Sequence, residues 1–553
     1  MAKRRLTGAV DHATLTKVAR ERFGYEEMRP GQEQVIRLIL EGKDTLSIMP
    51  TGSGKSAIYQ IAGLFVDGPT VVISPLIALQ KDQVDSIDDK NLPSAAVVNS
   101  SQRVAEKREA LAALANDELE FLFLSPEQLA NADTFARLAA NPPSLFVIDE
   151  AHCVSEWGHD FRPEYGRIGS ALDQLPKRPR IVALTATASP NVRDDIIARL
   201  GMKHPEVVVW GFDRPNIHLA VEACPDEETK TRLFLQRIED LAKPAIVYVA
   251  TRQHAEDLTK MLEGKLKAGF YHAGMKKDER TAMQDAFMAD ELDVIIATNA
   301  FGMGVDKPDV RTVIHYDISD SIDSYYQEIG RAGRDGEPSK AIMLYRPEDL
   351  GFRKAMAAGG KLSESQLEQV AEAIADRHDP APIKDVAEAV DMPQGKVEQA
   401  INRLSEVGAV TVLPGGEVKP AGKKMDAAGA AEEAAQEHES YRQYRMGRVA
   451  LMKDYAETKD CRRRYILNYF GEPHPEPCGF CDNCDAGISQ KEQAKEEDAG
   501  LPFALKSRVA HKKFGEGTIM RYEKEKVVIL FDTEGEKALV TDVVVNNELL
   551  KTL

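Results

Sequence analysis

A lysine and a hydroxyl follow a glycine-bearing turn early in the chain, and this arrangement can bind phosphate. The run Thr51-Gly52-Ser53-Gly54-Lys55-Ser56 comes after an apolar segment, residues 45–48, that is typical of a buried strand. Glycines let backbone N–H groups face an anion, and the N-terminus of a following helix adds partial positive charge. Lys55 can reach the outer phosphates of a nucleotide, and Ser56 can offer its hydroxyl to Mg²⁺. Met49 replaces the first glycine of the general pattern, yet lysine and serine in register favour nucleotide binding over a plain glycine-rich turn.

Two adjacent carboxylates, Asp149 and Glu150, follow a second apolar segment, residues 144–148. Ligands of open parallel sheets bind at the carboxyl ends of the strands, which is where this segment places both side chains. We expect Asp149 to hold Mg²⁺ and Glu150 to orient or deprotonate an attacking water. An exposed acidic turn is the alternative, and the proximity of Lys55, one crossover away, counts against it.

A glutamine ahead of the phosphate-binding run indicates which nucleotide is bound. The amide of Gln32 both donates and accepts hydrogen bonds, so it can pair with the N6 and N7 edge of adenine. Phe23 or Tyr25 could stack on the base, and Arg29 is assigned to the same site. A glutamine after Pro-Gly is also common as a turn residue. Its position here favours ATP over GTP.

The segment from Cys153 to Tyr165, called the aromatic loop below, combines aromatic and charged residues directly after the carboxylates. Trp157 and Phe161 can stack on the bases of a single strand, and Arg162 can contact a phosphate. The alternative is that these aromatic side chains cap a core, and their polar neighbours count against it. The predicted DNA-contacting set of this region also includes His152 and His159.

A second region of alternating strands and helices, residues 245–345, carries two arginines three positions apart, Arg331 and Arg334. We predict that both lie on one face of a helix. Guanidinium groups suit a developing phosphoryl charge because their planar fork donates several hydrogen bonds. The other residues assigned in this region are Gly304, Asp306 and Gln327 at the nucleotide, and Thr251 and Arg252 at DNA.

Four of the six cysteines, Cys461, Cys478, Cys481 and Cys484, have the spacing of metal ligands. Four thiolates with two short spacings match a closed tetrahedral Zn²⁺ site. An iron–sulfur cluster is the alternative.

Length and composition constrain the class of protein. A chain of 553 residues divides into about three to five domains. The net charge of −18 argues against a protein that coats nucleic acid uniformly, although it allows local basic grooves. No apolar run reaches the length of a membrane span, and the N-terminus has no apolar core behind its charges. These features predict a cytoplasmic protein without a membrane partner.

The C-terminal third of the chain contains three further patterns. Helical periodicity over residues 363–377, 383–390 and 394–407, followed by a short hairpin, is typical of a winged helix, for which DNA contact and structural packing remain equally open. Residues 485–500 are polar and predict a linker. Short alternating segments after residue 502 then predict a small barrel that moves independently of the rest.

These blocks resemble the RecQ family of superfamily 2 DNA helicases. The phosphate-binding run, the carboxylates and the aromatic loop are similar to its first lobe, and the cysteine block is similar to its zinc module. The block around Arg331 and Arg334 resembles helicase motif VI. The resemblance implies two lobes that close on ATP, an arginine finger at Arg334, and 3′-to-5′ unwinding of duplex or branched DNA in recombination and repair. The winged helix precedes the zinc module here, whereas in the family it follows.

The tail resembles a different helicase group. The run Lys512-Lys513-Phe514-Gly515-Glu516-Gly517 is similar to the Tudor-like tail of the UvrD/PcrA family, which contacts RNA polymerase, and this implies RNA polymerase or another protein as a partner. A DNA-stimulated ATPase that remodels protein–DNA complexes is the alternative function, and an RNA helicase is a third.

The predicted fold class is α/β. The predicted domains are helicase lobe 1 (1–210), helicase lobe 2 (211–350), both RecA-like, a winged-helix-like module (362–422), a helical zinc module (436–486), a linker (487–501) and a Tudor- or SH3-like barrel (502–553).

Overall fold

The computed structural model describes residues 11–553 except 30, 76, 78–79, 82, 85–86, 88–93, 159, 303–304, 360–361, 376, 378, 414–415, 423–424, 473, 475 and 500. No helix in this part of the chain is long and apolar enough to cross a membrane.

The first lobe is a seven-stranded sheet in which every strand pairs parallel with its neighbours. Its core strands are buried along their whole length, as expected for a sheet covered on both faces. The strands are β1 (Thr45–Ile48), β2 (Thr70–Ile73), β3 (Ala95–Val98), β4 (Phe121–Leu124), β5 (Leu145–Ile148), β6 (Arg180–Thr185) and β7 (Glu206–Val209). Their order is β3-β4-β2-β5-β6-β1-β7, so β1 and β5, which lead into the phosphate loop and the carboxylates, lie on either side of β6.

The second lobe is a six-stranded sheet that is also entirely parallel. Its strands are β8 (Ile217–Ala223), β9 (Ala245–Tyr248), β10 (Ala268–Tyr271), β11 (Val294–Ala297), β12 (Thr312–His315) and β13 (Ser339–Tyr345), in the order β10-β11-β9-β12-β13-β8. The two sheets confirm the prediction of two parallel-sheet lobes.

Helices cover the faces of both sheets. In the first lobe they are His12–Phe23, Gln32–Leu40, Lys55–Gly63, Val104–Ala115, Ala132–Ala140, Pro163–Gly166, Ile168–Asp173 and Pro190–Arg199, with 3₁₀ turns at Pro126–Ala130 and Ala151–Val154. In the second lobe they are Glu227–Asp240, Arg252–Met261, Lys277–Met288, Ile322–Ile329 and Asp349–Ala358.

Three helices and a small antiparallel sheet follow the lobes. The helices are Glu364–Ala375, Ile383–Ala389 and Gln394–Glu406, and the strands are β14 (Ala381–Pro382), β15 (Val410–Val412) and β16 (Glu417–Pro420), in the order β14-β16-β15. These are the elements of the winged-helix prediction. They share one apolar core with the beginning of the next helix, to which Ala431 and Ala434 belong.

That next helix, Ala427–Glu457, is called the long helix below. It begins at Ala427, before the predicted zinc module (436–486), because its first alanines pack into the preceding core. Further along, Val449, Met452 and Tyr455 are buried in the main core with the zinc module. The long helix therefore connects two modules. The helices Arg462–Tyr469 and Asp482–Asp485 complete the zinc module.

The C-terminal residues form a five-stranded antiparallel sheet and one short helix, Thr541–Asn546. The strands are β17 (Arg508–His511), β18 (Gly515–Glu523), β19 (Lys526–Phe531), β20 (Gly535–Val540) and β21 (Leu550–Thr552), in the order β20-β19-β18-β17-β21. This module is called the C-terminal sheet below.

The prediction that the C-terminal module is flexibly linked and moves independently is wrong. The expected linker contains the helix Ile488–Ala499, and Met520, Val528 and Leu530 of the C-terminal sheet belong to the same apolar core as the long helix. Buried Arg508 donates to Asn191 of the first lobe (2.9 Å). Shared apolar burial and a hydrogen bond from the buried Arg508 guanidinium hold the module in place.

Candidate active site

The phosphate loop adopts the conformation that its glycines permit. Gly52 and Gly54 both have φ of 76°, in the left-handed region, and Gly54 caps the Lys55–Gly63 helix, whose N–H groups face the loop. The Lys55 ammonium lies 3.4 Å from the carbonyl oxygen of Met49. Burial lowers the pKa of Lys55, while the charges of Glu150 and Asp149 raise it. The lysine thus lies in a water-poor cleft beside two carboxylates, where a polyphosphate would complete its coordination.

Asp149 and Glu150 directly follow strand β5, as the sequence predicts. Burial, reinforced by the neighbouring charge of Glu150, raises the pKa of Asp149 to about 7. A buried carboxylate with this environment is suited to a cation, and the Ser56 hydroxyl, in the first turn of the helix after the phosphate loop, would supply a second oxygen donor. Asp149 and Ser56 therefore fit a Mg²⁺ site. Glu150 has a left-handed φ of 49° and an oxygen 3.3 Å from Nδ1 of His152.

Gln32 is hydrogen-bonded to the phosphate loop. Its Nε2 donates to the carbonyls of Ser53 (3.0 Å) and Gly54 (2.9 Å), and its Oε1 accepts from the Arg29 backbone N–H (2.8 Å). The Arg29 guanidinium also donates to the carbonyl of Gly52. The pairing of Gln32 with adenine stays a prediction; these contacts connect its position to that of the loop.

The second lobe closes directly onto the phosphate loop. The Thr51 hydroxyl donates to the carbonyl of Gly330 (3.1 Å), and a Cβ added to Gly52 would lie only 3.3 Å from Cγ of Arg334. Arg334 in turn donates to Asp306 (2.5 Å). These interactions are called the cleft contact below. They bring the candidate arginine finger to the loop that would hold the phosphates.

The two arginines do not lie on a helix as predicted. The helix ends at Ile329, and Arg331 and Arg334 follow in a series of turns. The helix ends here because Gly330 and Gly333 follow, and Gly333 has a φ of 54° that favours glycine. Arg331 and Arg334 both donate to the carbonyl of Val305, at 3.4 and 3.1 Å, so backbone contacts hold them in place.

The aromatic loop packs against the long helix. The Trp157 ring is half-buried and meets Tyr444 edge to face at a centroid distance of 4.9 Å, with Tyr441 at 6.4 Å. Arg162 pairs with Asp160 (3.0 Å). Phe161 is partly exposed. Stacking of these rings on DNA stays a prediction.

Other predicted residues are distributed around the lobes. His152 is fully buried, and its Nδ1 lies 3.0 Å from the hydroxyl of Thr185 at the end of β6, which suits coupling better than direct DNA contact. Thr251 caps the Arg252–Met261 helix by accepting from the His254 N–H, and Arg252 packs against Gly274. Gln327 lines a cavity between the lobes. His159 and Gly304 lie outside the described residues.

The four cysteines converge. Their sulfur atoms all lie within 4.8 Å of one another, a separation that fits a single tetrahedral ion. The Cys461 sulfur accepts from the backbone N–H groups of Arg464 (3.5 Å) and Cys478 (3.2 Å), which favours its thiolate form. Beside the cluster, Arg463 donates to Asp213 (2.6 Å) and thus fastens the module to the start of the second lobe.

Sequence reasoning missed Tyr444 and Arg448, which contact the aromatic loop from the long helix. The Tyr444 hydroxyl donates to the carbonyl of Trp157 (2.6 Å), and Arg448 donates to that of Gly158 (3.1 Å). A signal was present, because Tyr444, Arg448, Met452 and Tyr455 recur at helical spacing and form one buried stripe.

Comparison with known proteins agrees with this geometry. A DEAD/DEAH box helicase model matches residues 29–195, a helicase conserved C-terminal domain model matches 211–336, and a RecQ zinc-binding model matches 423–485. The chain is 34% identical to the ATP-dependent DNA helicase RecQ of Bacillus subtilis, over 92% of this chain and 73% of that protein. It is also 34% identical to the probable ATP-dependent DNA helicase RecS of that organism, over 90% and 97%.

A solved structure supports the fold alone. The DUF1998 helicase MrfA bound to DNA and AMPPNP has a TM-score of 0.52 at 19% identity, over 77% of this chain and 63% of that one. The two helicase domain matches, together with two parallel-sheet lobes that meet at the phosphate loop, identify a superfamily 2 helicase motor. Because it also has the RecQ zinc-binding module and matches these two relatives over most of their length, the chain belongs to the RecQ family of ATP-dependent DNA helicases. Its four-cysteine cluster is the zinc site of that family's module.

Proposed function

We propose that this enzyme hydrolyses ATP to move 3′ to 5′ along single-stranded DNA in the cytoplasm, and that it unwinds duplex or branched DNA in recombination and repair. The observation that carries the proposal is the cleft contact, in which Thr51 reaches Gly330 and Arg334 lies over Gly52. An arginine from one lobe then faces the phosphate loop of the other, so nucleotide binding and hydrolysis change how the lobes meet.

Each residue of the cleft has a distinct role in this reaction. Lys55 and the loop N–H groups bind the phosphates, and Glu150 orients or deprotonates the attacking water. Arg334, with Arg331 beside it, stabilises the charge that develops on the transferred phosphoryl group. Ser56 and Asp149 would hold Mg²⁺, which neutralises phosphate charge when bound.

Opening of the cleft follows from the same contacts. The Arg334 side chain lies 3.3 Å from where a Cβ on Gly52 would sit, so a change in how the lobes meet moves this arginine relative to the loop that binds the phosphates. Gln32 connects the base site to Ser53 and Gly54, so base recognition changes the loop that binds phosphate. The aromatic loop, with Trp157 and Phe161, supplies stacking surfaces for the strand.

Unwinding of tailed duplexes tests this function. We expect ATP-dependent unwinding of a 3′-tailed DNA duplex, weak activity on a 5′-tailed one, and little on the matching RNA duplex. DNA-stimulated ATP hydrolysis without strand separation would instead favour the alternative, an ATPase that remodels protein–DNA complexes. Efficient unwinding of RNA would support the RNA helicase alternative.

The C-terminal sheet has a second function in this proposal, the docking of a protein partner. Val540, Val543 and Val545 expose 41%, 48% and 40% of their surface, although the inner face of the module is buried against the motor. Exposed apolar clusters mark protein contact sites. RNA polymerase is the partner to test, because residues 512–517 resemble the tail of the UvrD/PcrA family.

A pull-down with purified RNA polymerase tests this docking. We expect the full chain to retain the polymerase and the Val540→Glu/Val543→Glu double variant to lose it. Val207→Glu, which alters an exposed valine on β7 of the first lobe, is the control and should retain it. Equal retention by all three proteins, or by none, contradicts docking through these valines.

A further inference from the structure

The long helix holds the aromatic loop through backbone atoms as well as rings. Tyr444 donates its hydroxyl to the carbonyl of Trp157 (2.6 Å), and Nη1 of Arg448 donates to the carbonyl of Gly158 (3.1 Å). Because both acceptors are backbone atoms, the position of the loop depends on the helix whatever the loop side chains do. A base that stacks on Trp157 must compete with Tyr444 for the ring or carry the loop with it.

The same guanidinium also contacts the second lobe. Nη2 of Arg448 donates to the Ser321 hydroxyl (2.6 Å), and Asp323 lies 3.8 Å away. Ser321 is the N-cap of the Ile322–Ile329 helix, accepting from the Ser324 N–H at 3.1 Å. That helix leads directly into the turns that carry the candidate arginine finger. Arg448 therefore connects the aromatic loop to the beginning of the finger-bearing segment.

This connection, called the loop bridge below, is buried. Arg448 is only 8% exposed, so its charge is kept by hydrogen bonds and nearby acidic groups. Asp323 is itself fixed by the Tyr469 hydroxyl, which donates to it at 2.5 Å. The flat guanidinium donates to one fixed acceptor on each lobe. A displacement of one lobe is therefore transmitted to the other, whereas a flexible surface contact would absorb it.

We propose that Arg448 is a positioning residue that couples DNA contact at the aromatic loop to placement of the arginine finger at ATP. The inference rests on the proposed DNA role of the aromatic loop. When a strand displaces the loop, the Gly158 carbonyl moves, the guanidinium follows, and the N-terminus of the Ile322–Ile329 helix shifts with it. The arginines beyond that helix then change their position over the phosphate loop.

Steady-state ATP hydrolysis over a range of single-stranded DNA concentrations tests the coupling. Arg448→Lys keeps the buried charge but cannot satisfy acceptors on both lobes as the fork does. We expect this variant to retain DNA-free hydrolysis and the half-saturating DNA concentration, and to lose about 5-fold or more of the DNA-stimulated kcat. Tyr444→Phe, which removes one hydrogen bond to the loop, should lose less. Arg442→Ala, whose side chain pairs with Glu439 on the surface of the same helix, is the control and should behave like the parent.

Tryptophan fluorescence separates failure of the coupling from failure of the proposed function. The chain has two tryptophans, so Trp210→Phe leaves Trp157 as the only reporter. In that background, Arg448→Lys should keep the fluorescence change on adding a DNA oligonucleotide while losing stimulation. Full stimulation in Arg448→Lys overturns the coupling, and so does joint loss of the fluorescence change and stimulation, because Arg448 would then serve DNA binding. If the parent shows neither signal, the DNA role of the loop fails and the coupling fails with it.

Discussion

Two of the connections between the lobes are built in different ways. At the cleft contact, Thr51 and Gly52 meet Gly330 and Arg334, all of which belong to short sequence motifs. At the loop bridge, neither lobe supplies the connecting side chain; Arg448 comes from the long helix. The cleft contact is therefore made by residues of the motor itself, whereas the loop bridge depends on an appended helix. Variants at the two places should fail in different ways.

The largest effect is expected at the cleft. Lys55→Ala and Asp149→Ala should each lower ATP hydrolysis by at least about 100-fold, with and without DNA, because they remove charge that acts on phosphate or Mg²⁺. Phosphate release measures this, and filter binding should show that DNA affinity is largely kept. Lys43→Ala, which alters a lysine paired with Glu206 on the surface of the same lobe, is the control. Substantial turnover by either cleft variant would contradict the assignment.

Loss of zinc should have the next largest effect, because the zinc module supports the long helix that carries the loop bridge. The zinc module packs against the second half of the long helix, where Tyr455 and Tyr465 meet at a centroid distance of 5.5 Å. A structural zinc site contributes directly to folding. We expect about one zinc per chain by elemental analysis, and loss of both zinc and thermal stability in Cys481→Ser. Cys224→Ser, a buried cysteine outside the cluster, should keep its zinc. A Cys481→Ser protein that lacks zinc but has the same thermal stability as the parent would contradict a structural role for the metal.

Undocking of the C-terminal sheet should have an intermediate effect. Arg508 is buried between Asp532 (2.6 Å) and Glu516 (3.1 Å), so Arg508→Ala leaves two carboxylates without their partner, at a cost of about 3–5 kcal/mol. Hydrogen exchange over residues 502–553 should rise sharply. Arg521→Ala removes an exposed ion pair with Glu536 in the same sheet and should cost about 1 kcal/mol or less. Equal exchange in the two variants would mean that Arg508 does not hold the module.

The DNA side should respond to Trp157→Ala without loss of the cleft chemistry. Each stacked base contributes about 1–3 kcal/mol, so DNA-stimulated hydrolysis should need a several-fold higher DNA concentration while DNA-free hydrolysis persists. Trp157→Phe, which keeps an aromatic ring beside Tyr444, is the conservative comparison for loop packing and should respond less. Unchanged stimulation in Trp157→Ala would show that the ring only packs against Tyr444.

The cleft was predictable because its chemistry depends on residues near one another in sequence. The phosphate run, the carboxylates after β5 and the four cysteines each lie within one short stretch of the chain, and the structure brings each set together. Strand β1 begins and ends at the predicted residues because a continuous apolar run is typical of a buried parallel strand.

What could not be predicted depends on packing between distant segments. Nothing local marks Arg448 as a partner of Gly158, because 290 positions separate them and a basic helix is usually solvated. The segment before the C-terminal sheet is polar, which predicted an independent module. The polarity of that segment gives no information about Leu530, which lies beyond it and packs beside Gly447 of the long helix. The helical prediction for Arg331 and Arg334 failed because spacing alone does not reveal where glycines end a helix.

The smallest effect is expected at the outer edge of the aromatic loop, where Glu406 of the three-helix module faces Glu156 and is paired with Arg403 (2.9 Å). Burial, reinforced by the charge of Glu156, raises the pKa of Glu406 from 4.5 to about 7, while Arg403 opposes the rise. Between these values the folded chain binds the proton more strongly than the unfolded chain, so the free energy of unfolding falls as the pH rises from 4.5 to 7 and levels off above.

Glu406→Gln, which cannot ionise, removes this loss of stability. Its Tm should therefore exceed that of the parent by about 1–2 °C at pH 8 and match it near pH 5. Glu398→Gln, on the exposed side of the same helix, is the control and should leave the Tm unchanged at both pH values. If the Tm difference between Glu406→Gln and the parent is the same at pH 8 as at pH 5, the ionised Glu406 does not destabilise the fold.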